Sequence, residues 1–400
     1  MIRSPSTAKF PVEIITDEEM SLIEAALSSA AAAPPSILFD RNYRSITSIT
    51  RLAKRRLSGC TELGNSDIED SGRVVGSNSP KSKSRVLESF LHRFRRRRGL
   101  SVTDITSTEW CEKQMEFFLL LGRPKSTEAM KAGSARHMQL EEEVVKRVKI
   151  DVESIEDMWA VKFMNFIWGA NQLLFEGLTR ELPVVGFVEG VWMVGVIDEI
   201  RMPLVESERM PLLVDTKTRV RATLPAEPQR RNGRLQLMCY KYLWDSLVAS
   251  KFPSQKFFDY FSLNPHHILS PEVRQVTEKS GFPSETLDDL VRYFQNSSCL
   301  LPRAQDQLLL RYELQEDQSL LGEDQFDYEP EWFESQIKSC IEFWQGEREA
   351  ICTPTEERWK CKFCKFSSRC PANSNMDDST TPPENKDFPS PEIPSKNELS

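Results

Sequence analysis

Three residues on two short apolar segments have the types and spacing of a metal-dependent hydrolytic site. Asp198 follows Gly-Val-Ile, and Asp215 and Lys217 lie within Leu-Leu-Val-Asp-Thr-Lys. A hairpin between these segments, with its tip at Glu206-Ser207, places Asp198 directly opposite Asp215. Directly opposed residues have Cβ atoms about 4.5–5.5 Å apart. Lys217, two residues beyond Asp215, points to the same face of its strand.

Two carboxylates at this separation favour a hard cation with oxygen ligands, above all Mg²⁺. Mg²⁺ activates water and neutralises charge on a phosphate that is being cleaved, and a neighbouring lysine stabilises the developing charge. The alternative is that Asp198 and Asp215 are ordinary residues of strand ends or turns. Both acids stand inside apolar segments, where an unpaired charge is costly, so the metal-site interpretation is favoured.

Two further pairs have helical spacing. His137 and Glu141 are spaced i, i+4 in a predicted helix, and so are Gln236 and Tyr240 in the predicted helix that follows the acidic segments. Residues at this spacing share one helix face. Each pair alone is typical of a solvated or core-edge position. Their order around the two acids is what makes them candidate site residues.

Three cysteines near the end of the sequence have the spacing of a metal or cluster site. Cys361, Cys364 and Cys370 form C-x₂-C-x₅-C, one ligand short of the usual four. Cys111 is the best candidate for the fourth ligand, and Cys352 is its rival. Spacing alone leaves zinc and an iron–sulfur cluster equally open.

The order of these motifs resembles the RecB-like branch of the PD-(D/E)xK nucleases. The resemblance implies a restriction-endonuclease-like α/β core, with a central mixed sheet flanked by helices. It also implies that one histidine and the two acids hold the metal, that the lysine assists the nucleophile, and that the glutamine and tyrosine shape the site. The motifs are Gly133-x-x-x-His137-x-x-x-Glu141, Gly195-Val-Ile-Asp198, Asp215-x-Lys217-Thr218-Arg219 and Gln236-x-x-x-Tyr240.

One cysteine before the nuclease motifs and three after them is the pattern of the iron–sulfur members of this family. The resemblance covers about residues 85–372 and implies a [4Fe-4S] cluster that staples the two ends of the domain together. Its ligands would be Cys111, Cys361, Cys364 and Cys370. The resemblance also implies single-stranded DNA as substrate. A single-strand DNA-binding protein is a candidate partner, and we expect a monomer.

Composition and periodicity set the frame for these motifs. We expect a largely disordered region over residues 1–84, the nuclease domain over 85–372 and a disordered tail over 373–400. Ordered sequence is expected to begin near Ser101. Valine-rich and isoleucine-rich segments predict strands and apolar periodicity predicts helices. The predicted strands are 183–201, 212–217 and 256–263, and the predicted helices are 127–148, 155–178, 234–250, 284–297 and 330–349.

Charge and composition narrow the function. The net charge is −8, so a DNA-binding surface must come from local clusters such as Arg93–Arg98, for which a localisation signal and a solvated linker are the alternatives. The nine cysteines are odd in number and spread along the chain, which argues against a disulfide framework. The sequence contains no apolar run of about 18 residues, so we expect no membrane span. It contains no phosphate-binding loop either, so we expect no ATPase.

The sequence therefore predicts a Mg²⁺-dependent exodeoxyribonuclease that acts on single-stranded DNA in repair. The protein would be intracellular, in the nucleus or in an organelle, without a choice between them. The alternative is a non-catalytic nucleic-acid-binding module with a zinc or iron–sulfur staple. Intact Asp198, Asp215 and Lys217 argue against that alternative, because a decayed site would have lost one of them.

Overall fold

A mixed six-stranded sheet forms the centre of the computed structural model, which describes residues 89–144, 150–203 and 209–374. Helices flank this sheet, so the fold is mixed α/β, as the sequence predicts. The strands follow the order β1-β3-β4-β5-β6, and β2 also pairs with β3. They are β1 (Leu100–Ser101), β2 (Leu178–Val188), β3 (Val191–Arg201), β4 (Leu212–Arg219), β5 (Gln307–Leu314) and β6 (Leu320–Asp327).

Ten helices accompany the sheet in the described part of the chain up to Cys352. They are α1 (Phe90–Arg95), α2 (Val102–Trp110), α3 (Glu112–Leu121), α4 (Glu128–Glu142), α5 (Ile155–Glu176), α6 (Glu227–Val248), α7 (Ser254–Phe261), α8 (Pro271–Lys279), α9 (Leu287–Cys299) and α10 (Pro330–Gln345). None of the described helices has the length and apolar character of a membrane span.

The chain divides into two compact units after Cys352. The first unit holds the sheet and the ten helices. The second unit, in its described residues, consists of two 3₁₀ segments, Thr355–Phe363 and Ser367–Arg369, followed by the short helix α11 (Pro371–Ser374). The three clustered cysteines of the sequence therefore all belong to the second unit.

Strand β3 carries the first predicted carboxylate at a place where its neighbours change. Antiparallel β2 pairs with β3 along one whole edge, so β1 and β4 share the other edge. Parallel β1 pairs at Met193 and Val194, and antiparallel β4 pairs over Glu199–Arg201. Asp198 stands between these two ladders, next to the first residue that pairs with β4.

A buried ion pair holds together the two helices, α1 and α2, that flank the first strand β1. Ser101 caps α2 in a reciprocal capping box with Asp104, which satisfies backbone donors at the helix start. Arg95 of α1 contacts both carboxylate oxygens of Asp104, at 2.7 and 2.8 Å. Ordered structure therefore begins before Ser101, contrary to the sequence prediction. Within the basic run Arg93–Arg98, at least Arg95 has this structural role.

Aromatic rings fill the space between α5, α7 and the sheet. Trp159, Trp192, Phe257 and Phe261 are all buried and their ring centroids lie 4.6–5.7 Å apart in the closest pairs. The strand predicted over 256–263 is wrong, because this segment is largely helix α7. Its aromatic content favours a strand, but Phe257 and Phe261 are spaced i, i+4 and both face the core, as a helix requires.

The other predicted elements are largely confirmed. Helices are found within or around 127–148, 155–178, 234–250, 284–297 and 330–349, and strands at 183–201 and 212–217. The helix predicted from residue 234 begins earlier, at Glu227, and the strand region predicted from 183 begins at Leu178 and is two strands. Strands β5 and β6 were not predicted. The tail predicted over 373–400 lies almost entirely outside the described residues, as does the region 1–84.

Candidate active site

The register of β3 and β4 brings the two predicted metal-binding carboxylates together. Glu199 pairs with Val214 in an antiparallel ladder, and the same register carried one residue farther places Asp198 opposite Asp215. Their carboxyl groups are close enough to interact directly. The register predicted from the sequence is confirmed, and the predicted hairpin tip at residues 206–207 lies outside the described residues.

Both carboxyl groups are withdrawn from water, since Asp215 is fully buried and Asp198 is 14% exposed. Burial is the largest cause that raises the pKa of Asp198 well above its ordinary value, and the neighbouring Asp215 raises it further. Burial also acts to raise the pKa of Asp215, but chiefly the Lys217 ammonium outweighs it, so the net pKa is lowered. A cation that bound this pair would therefore compete with a proton.

Three buried carboxylate oxygens, Asp198 Oδ2 and both oxygens of Asp215, accept no hydrogen bond. Lys217 Nζ lies 2.8 Å from Asp215 Oδ2 in an ion pair. Buried polar atoms are normally satisfied by a donor or a cation. Converging carboxylate oxygens of this kind fit Mg²⁺, which prefers hard oxygen ligands.

Lys217 is held between the carboxylate pair and helix α6. Its Nζ donates to Gln236 Oε1 at 2.8 Å, and Gln236 Nε2 donates to Tyr240 Oη at 3.3 Å. The predicted common face of Gln236 and Tyr240 is therefore confirmed. The Lys217 side chain is 35% exposed, so its ammonium can be reached from solvent while Gln236 fixes its position.

Two glycines let helices lie close to the strands of the site. A Cβ atom at Gly195 of β3 would stand 2.7 Å from Tyr240 Cε1 and 2.9 Å from Val102 Cγ2, much closer than carbon atoms pack. A Cβ atom at Gly133 of α4 would stand 3.2 Å from Thr218 Oγ1 of β4. The glycines of the first two sequence motifs therefore set the distance between helix and sheet.

His137 meets two carboxylates, one of which the sequence analysis did not select. Its Nδ1 lies 3.5 Å from Asp198 Oδ2 and 3.5 Å from Glu181 Oε1. Burial of His137 acts to lower its pKa, but Glu181, the stronger of its favourable partners, and Asp215 raise it overall. His137, Glu181 and Asp198 offer ligand atoms that all lie within 4.8 Å of one another.

Glu181 could have been found by the symmetry argument that placed Asp215. The turn between β2 and β3 lies at Glu189-Gly190, and a hairpin centred there sets Glu181 opposite Asp198, as the pairs Arg180–Glu199 and Leu182–Ile197 on either side require. The sequence prediction treated residues 183–201 as one strand region without locating this turn. The equal distance of Glu181 and Asp198 from this turn is the feature of the sequence that predicts their pairing.

Glu141 is fully buried on α4, one turn beyond His137. The two residues share the helix, as predicted, but the three-residue cluster around His137 contains Glu181 and Asp198 and not Glu141. A direct role of Glu141 in the site remains a prediction.

The cysteines differ in their suitability as ligands. Cys361, Cys364 and Cys370 are half-buried in the second unit, where Cys361 lies in the first 3₁₀ segment and Cys364 and Cys370 directly follow the first and the second. Cys111 is half-buried between α2 and α3 of the first unit. Thiols of half-buried cysteines are suitable ligands for zinc or for an iron–sulfur cluster. Burial raises the pKa of the Cys239 and Cys340 thiols, which disfavours the thiolate that binds metal. Cys352 is half-buried, and Cys60 lies outside the described residues.

Comparison with known proteins adds to this geometry. Exonuclease V from zebrafish (Danio rerio) is 29% identical over 302 residues, which cover 74% of this chain and 76% of the zebrafish protein. Mitochondrial exonuclease V from Candida dubliniensis is 39% identical over 61 residues, 15% of this chain and 10% of that protein. The solved structure of SSO0001 covers 67% of this chain and 96% of its own, at 14% identity and a TM-score of 0.25, a likeness that carries no argument about the fold.

The model of the family described as "Exonuclease V - a 5' deoxyribonuclease" matches residues 89–211, 204–298 and 282–371. These residues include every predicted site residue, from Cys111 to Cys370. Eukaryotic exonuclease V is also the protein that the sequence phrases Leu100-Ser-Val-Thr-Asp104, Gly190–Glu199 and Trp359-Lys-Cys361 resemble. The chain therefore belongs to the exonuclease V family, whose members are exodeoxyribonucleases, hydrolases acting on phosphodiester bonds.

Proposed function

We propose that the chain is a Mg²⁺-dependent exonuclease that hydrolyses single-stranded DNA from a 5′ end. The observation that carries the proposal is the buried pair of Asp198 and Asp215 beside Lys217, with carboxylate oxygens that accept no hydrogen bond. The 5′ polarity follows the description of the family. The preference for single strands follows the resemblance of the motifs to RecB-like nucleases.

A PD-(D/E)xK core is the structural part of this proposal. Its support is the order of the parts: a helix with His137, a strand with Asp198, a paired strand with Asp215 and Lys217, and a helix with Gln236. Helix α6 contributes the neutral amide of Gln236, which holds Lys217 in position through a hydrogen bond.

Each side chain of the site has a distinct task in phosphodiester hydrolysis. Asp198 and Asp215, with His137, would hold Mg²⁺, which when bound supplies an activated water and neutralises charge on the phosphate. Lys217 Nζ stabilises negative charge that develops during cleavage. Gln236 keeps this ammonium in place, and Tyr240 orients the Gln236 amide. Positioning of this kind is most effective when the groups are fixed before the substrate arrives.

A [4Fe-4S] cluster bound by Cys111, Cys361, Cys364 and Cys370 is the second part of the proposal. The half-buried state of these cysteines supports it, as does the high pKa of the buried alternatives. The ligands are about 250 residues apart in sequence. By analogy with disulfides, a link that closes so long a loop stabilises the fold by about 4–5 kcal/mol. Zinc at the same thiols is the alternative.

The cellular setting is proposed on less direct grounds. A role in DNA repair, a monomeric state and a single-strand DNA-binding protein as partner follow from the resemblance. The mitochondrial names of the fungal relatives support an organelle among the compartments considered, which are the nucleus, the mitochondrion and the plastid.

Digestion of end-labelled single strands tests the nuclease proposal. One oligonucleotide is blocked at its 5′ end and another at its 3′ end, and each is incubated with and without Mg²⁺. We expect Mg²⁺-dependent degradation that stops only when the 5′ end is blocked. Degradation that stops only with a 3′ block would overturn the polarity, and equal activity with EDTA would overturn the metal dependence.

Matched variants connect this activity to the site. Asp215→Asn and Lys217→Ala remove a charge from the centre of the site, and we expect each to reduce cleavage by at least about 100-fold. Lys338→Ala removes the same type of side chain from the exposed face of α10 and is expected to cleave at the wild-type rate. Wild-type cleavage by Asp215→Asn would show that the metal site has been placed wrongly.

A further inference from the structure

A third acidic side chain, Glu181, faces the carboxylate pair from strand β2. It is only 3% exposed, and its Oε1 lies 3.5 Å from His137 Nδ1. One ligand atom each from Glu181, His137 and Asp198 lies within 4.8 Å of the other two. Groups at such distances are able to share one cation.

The backbone at Glu181 has an uncommon conformation for its residue type. Its φ is +49°, in the left-handed region that residues other than glycine rarely adopt. The ladder between β2 and β3 nevertheless continues on both sides, with the pairs Arg180–Glu199 and Leu182–Ile197. A conformation of this kind is retained where the surrounding structure requires it, and such residues cluster at ligand-binding sites.

Acidic groups outnumber basic groups at this point of the described structure. The three carboxylates are those of Glu181, Asp198 and Asp215. They meet one ammonium, that of Lys217, and the imidazole of His137. With all three carboxylates ionised and the imidazole protonated, one negative charge would be uncompensated, so either a proton or a bound cation must balance it in this buried place. Independently, the buried Asp198 Oδ2, which faces His137, accepts no hydrogen bond among the described contacts, which also points to a cation.

We propose that Glu181 is a further ligand of the active-site cation, which it binds together with His137 and Asp198. The inference rests on the proposed function, since it takes the cation site at Asp198 and Asp215 as given. A third carboxylate raises the charge and the number of hard oxygen donors, and therefore the affinity for a divalent cation such as Mg²⁺ or Mn²⁺. In this role Glu181 would explain both the excess of buried acids and the backbone conformation of β2.

Binding of Mn²⁺ to the full-length protein, dialysed free of divalent cations, tests the proposal without any nuclease assay. Free Mn²⁺ is counted by electron paramagnetic resonance during a titration. We expect Glu181→Gln to bind Mn²⁺ at least about tenfold more weakly than the wild type. Its melting temperature without added cation should be unchanged or higher, because a buried repulsive charge has been removed.

A matched control is available in the same hairpin. Glu189 has the same residue type and a φ of +44°, but it is exposed in the turn between β2 and β3. Glu189→Gln should therefore bind Mn²⁺ with wild-type affinity. If Glu181→Gln does not fold, Glu181→Gly takes its place in the titration with the same expected loss, since glycine accepts the left-handed backbone.

The outcomes separate this inference from the proposed function. Wild-type Mn²⁺ affinity in Glu181→Gln would overturn it. A lower melting temperature with unchanged affinity would also overturn it, because Glu181 would then only support His137. Asp215→Asn is titrated in parallel. If only Asp215→Asn weakens binding, the proposed function stands and Glu181 is not a ligand. If neither variant weakens binding, the cation site itself has been placed wrongly.

Discussion

Gly195→Ala is expected to slow cleavage although residue 195 touches no substrate. The added Cβ would stand 2.7 Å from Tyr240 Cε1, whereas packed carbon atoms are about 3.5–4.0 Å apart. The buried ring must therefore move by about 1 Å. Tyr240 Oη accepts a hydrogen bond from Gln236, and Gln236 accepts one from Lys217 Nζ, so the displacement reaches Lys217.

The expected size of the effect follows from this displacement. A misplacement of about 1 Å in a catalytic group costs up to about 100-fold in rate, so kcat should fall by about 10- to 100-fold. Overpacking of the core should also lower the free energy of unfolding by about 1–3 kcal/mol. Both are measured on the purified variant, by single-strand digestion at saturating substrate and by urea denaturation.

A second glycine provides the control for instability. A Cβ atom at Gly186 of β2 would stand 2.8 Å from Leu243 Cδ2 of α6, a similar overlap on the same helix without a hydrogen-bond chain to Lys217 among the described contacts. Gly186→Ala should therefore lose at most a similar amount of stability and much less activity. Equal losses of kcat in Gly186→Ala and Gly195→Ala, or wild-type kcat in Gly195→Ala, would refute the reasoning.

The other predictions concern the ion pair between Arg95 and Asp104 and the proposed iron–sulfur cluster. Asp104→Asn breaks the buried pair with Arg95 and should lower the free energy of unfolding by about 3–5 kcal/mol at pH 7. Burial acts to raise the pKa of Asp104, but Arg95 lowers it below its ordinary 3.8. The stabilisation that ionised Asp104 gives to the folded state is thus complete above the unfolded-state pKa, and it is lost as the pH falls through the lower folded-state pKa. The difference in free energy of unfolding between wild type and Asp104→Asn should therefore decrease only below about pH 4 in acid titrations. A difference that already decreases near pH 6 would contradict this assignment. Cys111→Ala should lose iron and melt earlier, whereas Cys352→Ala should keep wild-type iron content by elemental analysis, and zinc without iron in the wild type would refute the cluster.

The strand and turn errors of the sequence prediction have different physical causes. Residues 256–263 are rich in aromatic side chains, which favour a strand in isolation. They form helix α7 instead, because rings on one helix face pack against Trp159 and Trp192 from distant parts of the chain. Strands β5 and β6 alternate less clearly in hydrophobicity, and β5 pairs parallel to β4 across about 90 residues of sequence. Local patterns do not report such pairing.

The sequence alone determined which site residues share a face of a strand or a helix. The spacing of Asp198, Asp215 and Lys217 about a hairpin determines their common face, because antiparallel register and side-chain alternation are local rules. The i, i+4 spacing of Gln236 and Tyr240 determines their common helix face in the same way.

Only the tertiary structure decided how these faces meet. It brings α6 onto β3 at Gly195, so that Gln236 reaches Lys217 across the space between helix and sheet. It also places Glu181 beside His137, although 44 residues and a long helix separate them in sequence. These distances depend on the packing of whole elements against one another, and that packing is the sum of many contacts remote in sequence, which no local pattern encodes.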